Sequence, residues 1–457
     1  MPGYADWRGL YFEERLALQE EGYDVSDFPC IDGGETGSEA HETAKNCDGE
    51  STEWKELYLD LWNARSRGLR DDYPYDEPTE FDRILAAAGK VPSLTAVSGS
   101  KLHDRTFGAW CGRAAGVVLG KPLEMGWSRD RIESYLRSAE AYPLNDWVPS
   151  RSDALGVETR KDCIPSTKGN VQYVQPDDDI HYTLLALRLV EKHGLDFSSR
   201  DVGTNWLDNT PYHWVWCASR QAYYKMVSID RVLDDPDKLA DIPYVLNPWR
   251  ECIDGQIRSD FWGYMFPASP LGAARYAHRD CSFSLIKNGV YGGMFVAGAV
   301  AAAFDENPTV DRIIGGGLSV IPQRSRLAEM VESVRRWYDE SGRDWIATCQ
   351  SIESTYGHLP FAGTINNMAV VVLSLLHGGL DYTRTICTAC MCGFDTDCNA
   401  GTAGSIVGAA VGRTGIPDRW VSPLNDRVQT AVTEVRDTSL SEIISRTENV
   451  REIIGCG

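Results

Sequence analysis

Apolar residues recur along this chain mainly at i, i+3, i+4 spacing, the period of an amphipathic helix. The pattern is clear in YTLLALRLVEKHG from Tyr182, in RLAEMVESVRRWYDESG from Arg326 and in SEIISRTENVREIIG near the C-terminus, each with a glycine to stop it. Few segments alternate with period two, and no β-branched runs interleave with the helical ones as a parallel sheet would require. The pattern predicts an all-α protein with a compact multi-helix body.

Two shorter helical patterns, LYFEERLALQEEG and EWKELYLDLWNARSRG, lie on either side of residues 33–53. That stretch, GGETGSEAHETAKNCDGESTE, holds no large apolar side chain and is expected to be a mobile acidic loop. Together these segments define an N-terminal helical arm over residues 1–100, with the body over 101–457. A second irregular stretch, from Tyr142 to Pro176, is rich in Pro, Gly, Ser and Asp. Uninterrupted loops of that length are uncommon and often serve as lids or site walls.

Composition narrows the function. The 457 residues carry 45 Lys and Arg against 66 Asp and Glu, a net charge of −21, which argues against nucleic acid and anionic membrane surfaces as partners. The longest apolar run, Met294 to Phe304, falls short of the roughly 20 residues a membrane span needs. With no basic, apolar leader at the N-terminus, the expected compartment is the cytoplasm. The 13 cysteines are an odd number scattered over a long chain, unlike a disulfide framework. Cys387, Cys390, Cys392 and Cys398 include a Cys-x-x-Cys, but without a second matched pair they read as small packed hydrophobes rather than as a zinc site.

Asp177, Asp178 and Asp179 stand at the start of the helix that continues IHYTLLALRLVEKHG. Capping and the helix dipole would explain them individually. Asp395-Thr396-Asp397 stands likewise before NAGTAGSIVGAAVG, a helix dense in Gly and Ala. If the two helix starts meet, five carboxylates converge, and they cannot all stay ionised without cations between them. Oxygen donors favour Mg²⁺ or Mn²⁺ over zinc, and only His181 lies beside them. Two such ions can orient vicinal oxygens and polarise a water. A third segment, RTFGAWCGRAAGVVLGKPLEMG, spaces Gly112, Gly116 and Gly120 along one helix face for close packing, with Glu124 just beyond the helix end.

These three segments, in this order, resemble the ADP-ribosylglycohydrolase family, which includes ADP-ribosyl-acceptor hydrolases and dinitrogenase reductase-activating glycohydrolases. The family's Gly-x-x-x-Glu is matched by Gly120-Lys121-Pro122-Leu123-Glu124. Its Thr/Ser-Asp-Asp-Thr is matched by Asp177-Asp178-Asp179-Ile180, and its Gly-Asp-Thr-Asp-Thr by Phe394-Asp395-Thr396-Asp397-Cys398. The resemblance spans roughly Leu102 to Trp420. It implies an all-α catalytic domain with two Mg²⁺ ions, or Mn²⁺, held by Asp177, Asp178, Asp179, Asp395 and Asp397. It further implies Glu124 and Asp178 as the catalytic carboxylates, and a metal-dependent hydrolase of an N- or O-glycosidic bond to a ribofuranosyl group, by default ADP-ribosyl. The partner is then a small-molecule glycoside or an ADP-ribosylated substrate.

The departures bear on substrate. Asp177 replaces a hydroxyl ligand, Cys398 puts a soft thiol where a hard hydroxyl would bind Mg²⁺, and Val117 replaces an Asp. The glycine-rich segment that helps bind ADP-ribose has its nearest match in Asp254-Gly255-Gln256-Ile257-Arg258, without a basic cradle for a pyrophosphate. Gln256, Asn288, Tyr291 and Asn399 are the candidate substrate contacts; Asn288, Asn366 and Asn367 also lie where helix caps are expected. The aromatic-rich region holding Tyr212, His213, Trp214, Trp216, Tyr223, Tyr224 and Trp249 reads either as core or as a stacking surface. Two alternatives stand beside the ADP-ribosyl reading: hydrolysis of another furanoside, nucleoside or glycosylated metabolite, and a non-catalytic ADP-ribose or sugar-binding protein.

Overall fold

A computed structural model describes residues 4–29, 48–125 and 127–455. Among them the chain is mostly helical, as the spacing predicts, with two short antiparallel pairs, β1 (Arg151–Ser152) with β2 (Val157–Glu158) and β3 (Val428–Gln429) with β4 (Asp437–Thr438). The helices that frame the site are α1 (Trp7–Glu20), α2 (Thr52–Asn63), α3 (Gly99–Gly120), α4 (Asp178–His193), α5 (Cys217–Ser228), α6 (Asp254–Arg258), α7 (Lys287–Ala303), α8 (Thr364–Gly378), α9 (Tyr382–Met391) and α10 (Thr396–Val411). Local signals fix their ends. Asp177 caps α4 and Gly194 ends it at φ +61°, while Gly455 closes the last helix, Leu440–Ile454, in the left-handed region. The larger part of the loop expected over 33–53 lies outside the described residues; of its last residues, Ser51 caps α2.

The apolar run from Met294 forms the second half of α7, a helix buried on every face from Asn288 to Ala303. An all-round apolar helix belongs in the middle of a helical protein. No helix among the described residues is long and apolar enough to cross a membrane. The stretch from Tyr142 to Pro176 departs from an unbroken loop, because it contains the β1–β2 hairpin and a 3₁₀ segment, Lys161–Ser166.

Helices α1 and α2 share a small apolar cluster that includes Tyr11, Leu18, Trp54 and Leu61. They meet the body through buried ion pairs. The Arg250 guanidinium, wholly buried, lies 2.8 Å from Glu14 and 2.6 Å from Glu21, and Lys287 is 3.0 Å from Glu21. Burial would raise the Glu21 carboxyl, but Arg250 and Lys287 hold it down to about 2. Further along, Arg326 is 2.8 Å from Glu77 and 2.7 Å from Glu251.

The contact that shapes the body is between α3 and α10. The two backbones touch: a side chain at Gly112 would run into the Gly404 carbonyl, and one at Gly116 would run into Ala400 and stand 2.8 Å from the Gly401 nitrogen. Thr396 Oγ1 donates to the Gly120 carbonyl at 2.8 Å and so pins the start of α10 to the end of α3. Replacing Gly116 by Ala is expected to destabilise the protein by about 1–3 kcal/mol in chemical denaturation, the usual penalty for overpacking. Gly315→Ala, at a helical glycine with open space around it, should instead be neutral or stabilising by up to about 1 kcal/mol. Equal effects at the two positions would contradict this account.

Candidate functional site

The start of α4 and the start of α10 do meet. Carboxylate oxygens of Asp177, Asp179 and Asp397 all lie within 4.8 Å of one another, and so do the ligand atoms of Asp395, Asp397 and Cys398. Asp397 belongs to both groups. Asp177 performs the capping role, accepting from the Asp179 N–H at 3.1 Å. Its second oxygen, Oδ2, meets the Lys121 ammonium. The chain reaches Asp395 through two left-handed residues, Gly393 at φ +76° and Phe394 at φ +58°. The Asp395 N–H then donates to Asn367 Oδ1 at 3.0 Å, while its own Oδ1 is buried without a partner.

So many carboxylates together are costly to ionise. Burial first, and then the neighbouring acids, push Asp178, Asp179 and Asp395 well above the usual carboxylate range, Asp179 despite Arg113. Asp397 is raised by burial and by Asp177. Glu124, half-buried at the end of the Gly-Lys-Pro-Leu-Glu turn, is pushed up to about 9 by burial, Asp397 and Asp177, against the pull of Arg160. Six carboxyl groups thus gather where acids outnumber the neighbouring cations, and an orphaned carboxylate oxygen sits among them. The chemistry of this donor set fits a divalent cation: these groups could hold a metal ion.

Part of the charge is met by the protein itself. Lys121 Nζ lies 2.5 Å from Asp177 Oδ2 and also donates to the Pro176 carbonyl at 3.0 Å. Asp177 therefore brings its own counter-ion. Arg113, wholly buried on α3, lies 3.1 Å from Asp179 and 3.0 Å from Asp260, and donates to the Asp179 and Ile257 carbonyls. The thiol of Cys398 donates to Asp179 Oδ2 at 3.1 Å. The irregular stretch before Asp177 walls one side, with Arg160 3.6 Å from Glu124 and Cys163 Sγ bonded to the Lys121 carbonyl at 3.5 Å.

Of the candidate substrate contacts, the structure brings two to the cluster. Gln256 Nε2 donates to Asn399 Oδ1 at 3.3 Å, leaving Gln256 Oε1 buried and unpartnered, and Asn399 Nδ2 donates to Asn367 Oδ1 at 2.8 Å. Asn288 and Tyr291 are engaged elsewhere. Asn288 Nδ2 donates to Glu77 at 2.8 Å and its Oδ1 accepts from the Leu327 N–H, while the Tyr291 hydroxyl donates to the Pro78 carbonyl. Both residues anchor the segment that precedes the body. His181 is held neutral, its value pushed down to about 3 by burial; its Nε2 accepts from the Ala431 N–H at 3.0 Å.

Cys387, Cys390 and Cys392 are buried in the core. The aromatic region divides: Tyr223 is buried in the core, whereas Trp216 is 43% exposed under the Arg220 guanidinium. The sequence pattern does not mark Arg113, Asp260 or Lys121 as site residues. A signal for Arg113 was present, since a lone charge in AWCGRAAGVVLG must find a partner if that helix is buried.

Residues 98–450 match the sequence pattern of a family described as ADP-ribosylglycohydrolase. Among solved structures, one described as an ADP-ribosylglycohydrolase-related protein complex superposes on 78% of this chain and 100% of its own with a TM-score of 0.50, at 15% identity; the likeness is one of fold. No curated protein matches the sequence.

Asp177 and Lys121 are a buried pair, and the carboxylate holds the lysine ammonium above its ordinary range. A raised lysine value means that the pair's contribution is complete at neutral pH and is lost only as pH rises through that raised value. Lys121→Met is therefore expected to lower stability at pH 7 by about 3 kcal/mol when divalent ions are chelated, because it strands a buried carboxylate. Saturating Mn²⁺ should restore part of the loss. Denaturation curves with and without chelator measure both effects, and an unchanged midpoint would show that the pair is electrostatically idle.

Proposed function

This chain belongs to the ADP-ribosylglycohydrolase family, and on that premise we propose that it is a divalent-metal-dependent hydrolase of a glycosidic bond to a ribofuranosyl group, ADP-ribosyl in the first instance. The observation that carries the reading is the meeting of the two aspartate-bearing helix starts around a shared Asp397. Asp177, Asp178, Asp179, Asp395 and Asp397 would hold Mg²⁺, in two adjoining positions, with Mn²⁺ as a substitute. Bound there, the ions supply positive charge that orients vicinal hydroxyls and acidifies water.

The chain's own groups do the rest. Glu124, on a turn braced by Lys121 and Arg160, takes the proton of the attacking water once the cluster's charge is neutralised. Asp178 offsets the positive charge that develops on the sugar in an oxocarbenium-like transition state. The free Gln256 Oε1 accepts from a sugar hydroxyl, and Asn399 fixes the orientation of that amide.

A smaller furanoside or nucleoside is the second reading, and one observation favours it. Arg258, the cation of the segment that resembles the ADP-ribose loop, is turned into the core, donating to Ser284 and to the Asp280 and Cys281 carbonyls. It is not free to meet a pyrophosphate. Turnover of ADP-ribosylated compounds and of simple ribofuranosides by metal-loaded protein separates the two readings, and stabilisation by ADP-ribose without any turnover would instead identify a binding protein.

Asp397→Asn, which alters the ligand common to both groups, should abolish both Mn²⁺ binding by calorimetry and hydrolysis. Glu124→Gln should keep the metal and lower kcat by about 10²–10⁴-fold. Full activity in Asp397→Asn would overturn the metal-dependent mechanism.

A further inference from the structure

A second constellation of ligand atoms lies outside the carboxylate cluster and takes no part in the chemistry above. Cys217, the first residue of α5, Cys252, just ahead of α6, and Asp254, the first residue of α6, place two thiol sulfurs and a carboxylate oxygen within 4.8 Å of one another. We propose that Cys217, Cys252 and Asp254 form a binding site for a thiophilic divalent cation, Zn²⁺ by class, with donors of its own and a chemistry unlike that of the aspartate centre.

Three features of the geometry support it. The donors are already gathered, although they come from separate segments: Cys252 and Asp254 are 5% and 4% exposed, and Cys217 is half-buried. To close on one ion at about 2.3 Å for sulfur and about 2.0–2.2 Å for oxygen, the Cys252 thiol, which donates to Asp254 Oδ2, would give up its proton and part from that oxygen. The carboxylate is also pre-oriented. Asp254 Oδ1 accepts from the Ser219 N–H at 3.1 Å and from the Ser219 hydroxyl, and its Oδ2 accepts from the Cys252 thiol. An outer partner that aims a ligating carboxylate is a common feature of metal sites.

The backbone holds the cysteines in place as well. Cys217 sits at φ +43°, a left-handed conformation unusual for a side chain of its kind, and Cys252 is fixed by pairing with Gly363 and by the Thr364 hydroxyl on its carbonyl at 2.7 Å. Two sulfurs select a softer ion than the aspartate centre would. Because Asp254 begins the helix that carries Gln256, such an ion would stiffen the segment that reaches Asn399.

Co²⁺ is the probe, because its bonds to thiolate absorb in the near ultraviolet whereas its bonds to carboxylate do not. Titration of reduced, metal-free protein should give thiolate-to-cobalt absorption that saturates at one equivalent and is displaced by Zn²⁺. Cys217→Ser, a change at a half-exposed position, should abolish the band without altering the circular dichroism of the fold, and Cys252→Ser should do the same. Cys398→Ala and Asp397→Asn should both retain it, so that failure of the aspartate centre and failure of this site are told apart. Absence of the band in the wild-type protein, its survival in Cys217→Ser, or its loss in Cys398→Ala alone would each overturn the proposal. So would a Cys217–Cys252 disulfide that forms in the presence of Zn²⁺.

Discussion

The backbone contact between α3 and α10 is the constraint on which the rest of the structure depends. Glycines on both helices let the chains touch, and any side chain at the contact would force them apart. Only at that separation can Thr396 reach the Gly120 carbonyl, and only then does the turn carrying Lys121 and Glu124 face Asp395 and Asp397. Packing of the smallest residues thus sets the position of the most highly charged ones.

That placement has an electrostatic consequence. Buried acids repel one another and lose hydration, so the cluster opposes its own ionisation. The protein meets part of the cost with Arg113, which braces Asp179 and Asp260, and with Lys121, which neutralises the extra charge of Asp177. What is left is oxygen-rich, negative and short of partners, as Asp395 Oδ1 shows most directly. The same logic governs the junction with α1 and α2, where Arg250, Lys287 and Arg326 are buried only because Glu14, Glu21, Glu77 and Glu251 are buried with them. Charge pairs in low dielectric are poor sources of stability, yet they are specific: removing one partner leaves the other stranded. At one place they tie segments together, and at the other they leave a carboxylate cluster that could hold a metal ion.

Asparagine side chains illustrate how one sequence pattern serves two different placements. Asn288 and Asn399 both stand near helix starts and both read as caps or sugar contacts. Asn399 lies on α10 beside the cluster and bonds Gln256 and Asn367. Asn288 lies at the start of α7, where Glu77 reaches it, and Tyr291 one turn further on is met by the Pro78 carbonyl. An amide's donors and acceptors serve either purpose equally well, so the residue type does not distinguish them.

Much of this protein was legible in the chain itself. Periodicity gave the helices, Gly and Asp marked their ends, and the spacing of Gly112, Gly116 and Gly120 announced a close helix neighbour, because each of these signals acts within a turn or two along the backbone. Motif order marked Glu124 and the two aspartate runs as one site. Tertiary structure alone decided which helix those glycines meet, that Lys121 is the counter-ion of Asp177, that Arg113 lies behind Asp179 and that Arg258 faces the core. It alone also gathered Cys217, Cys252 and Asp254. These are contacts between segments distant in sequence, and no local pattern encodes them: a buried charge or thiol requires a partner, but only the packing of helices chooses which one.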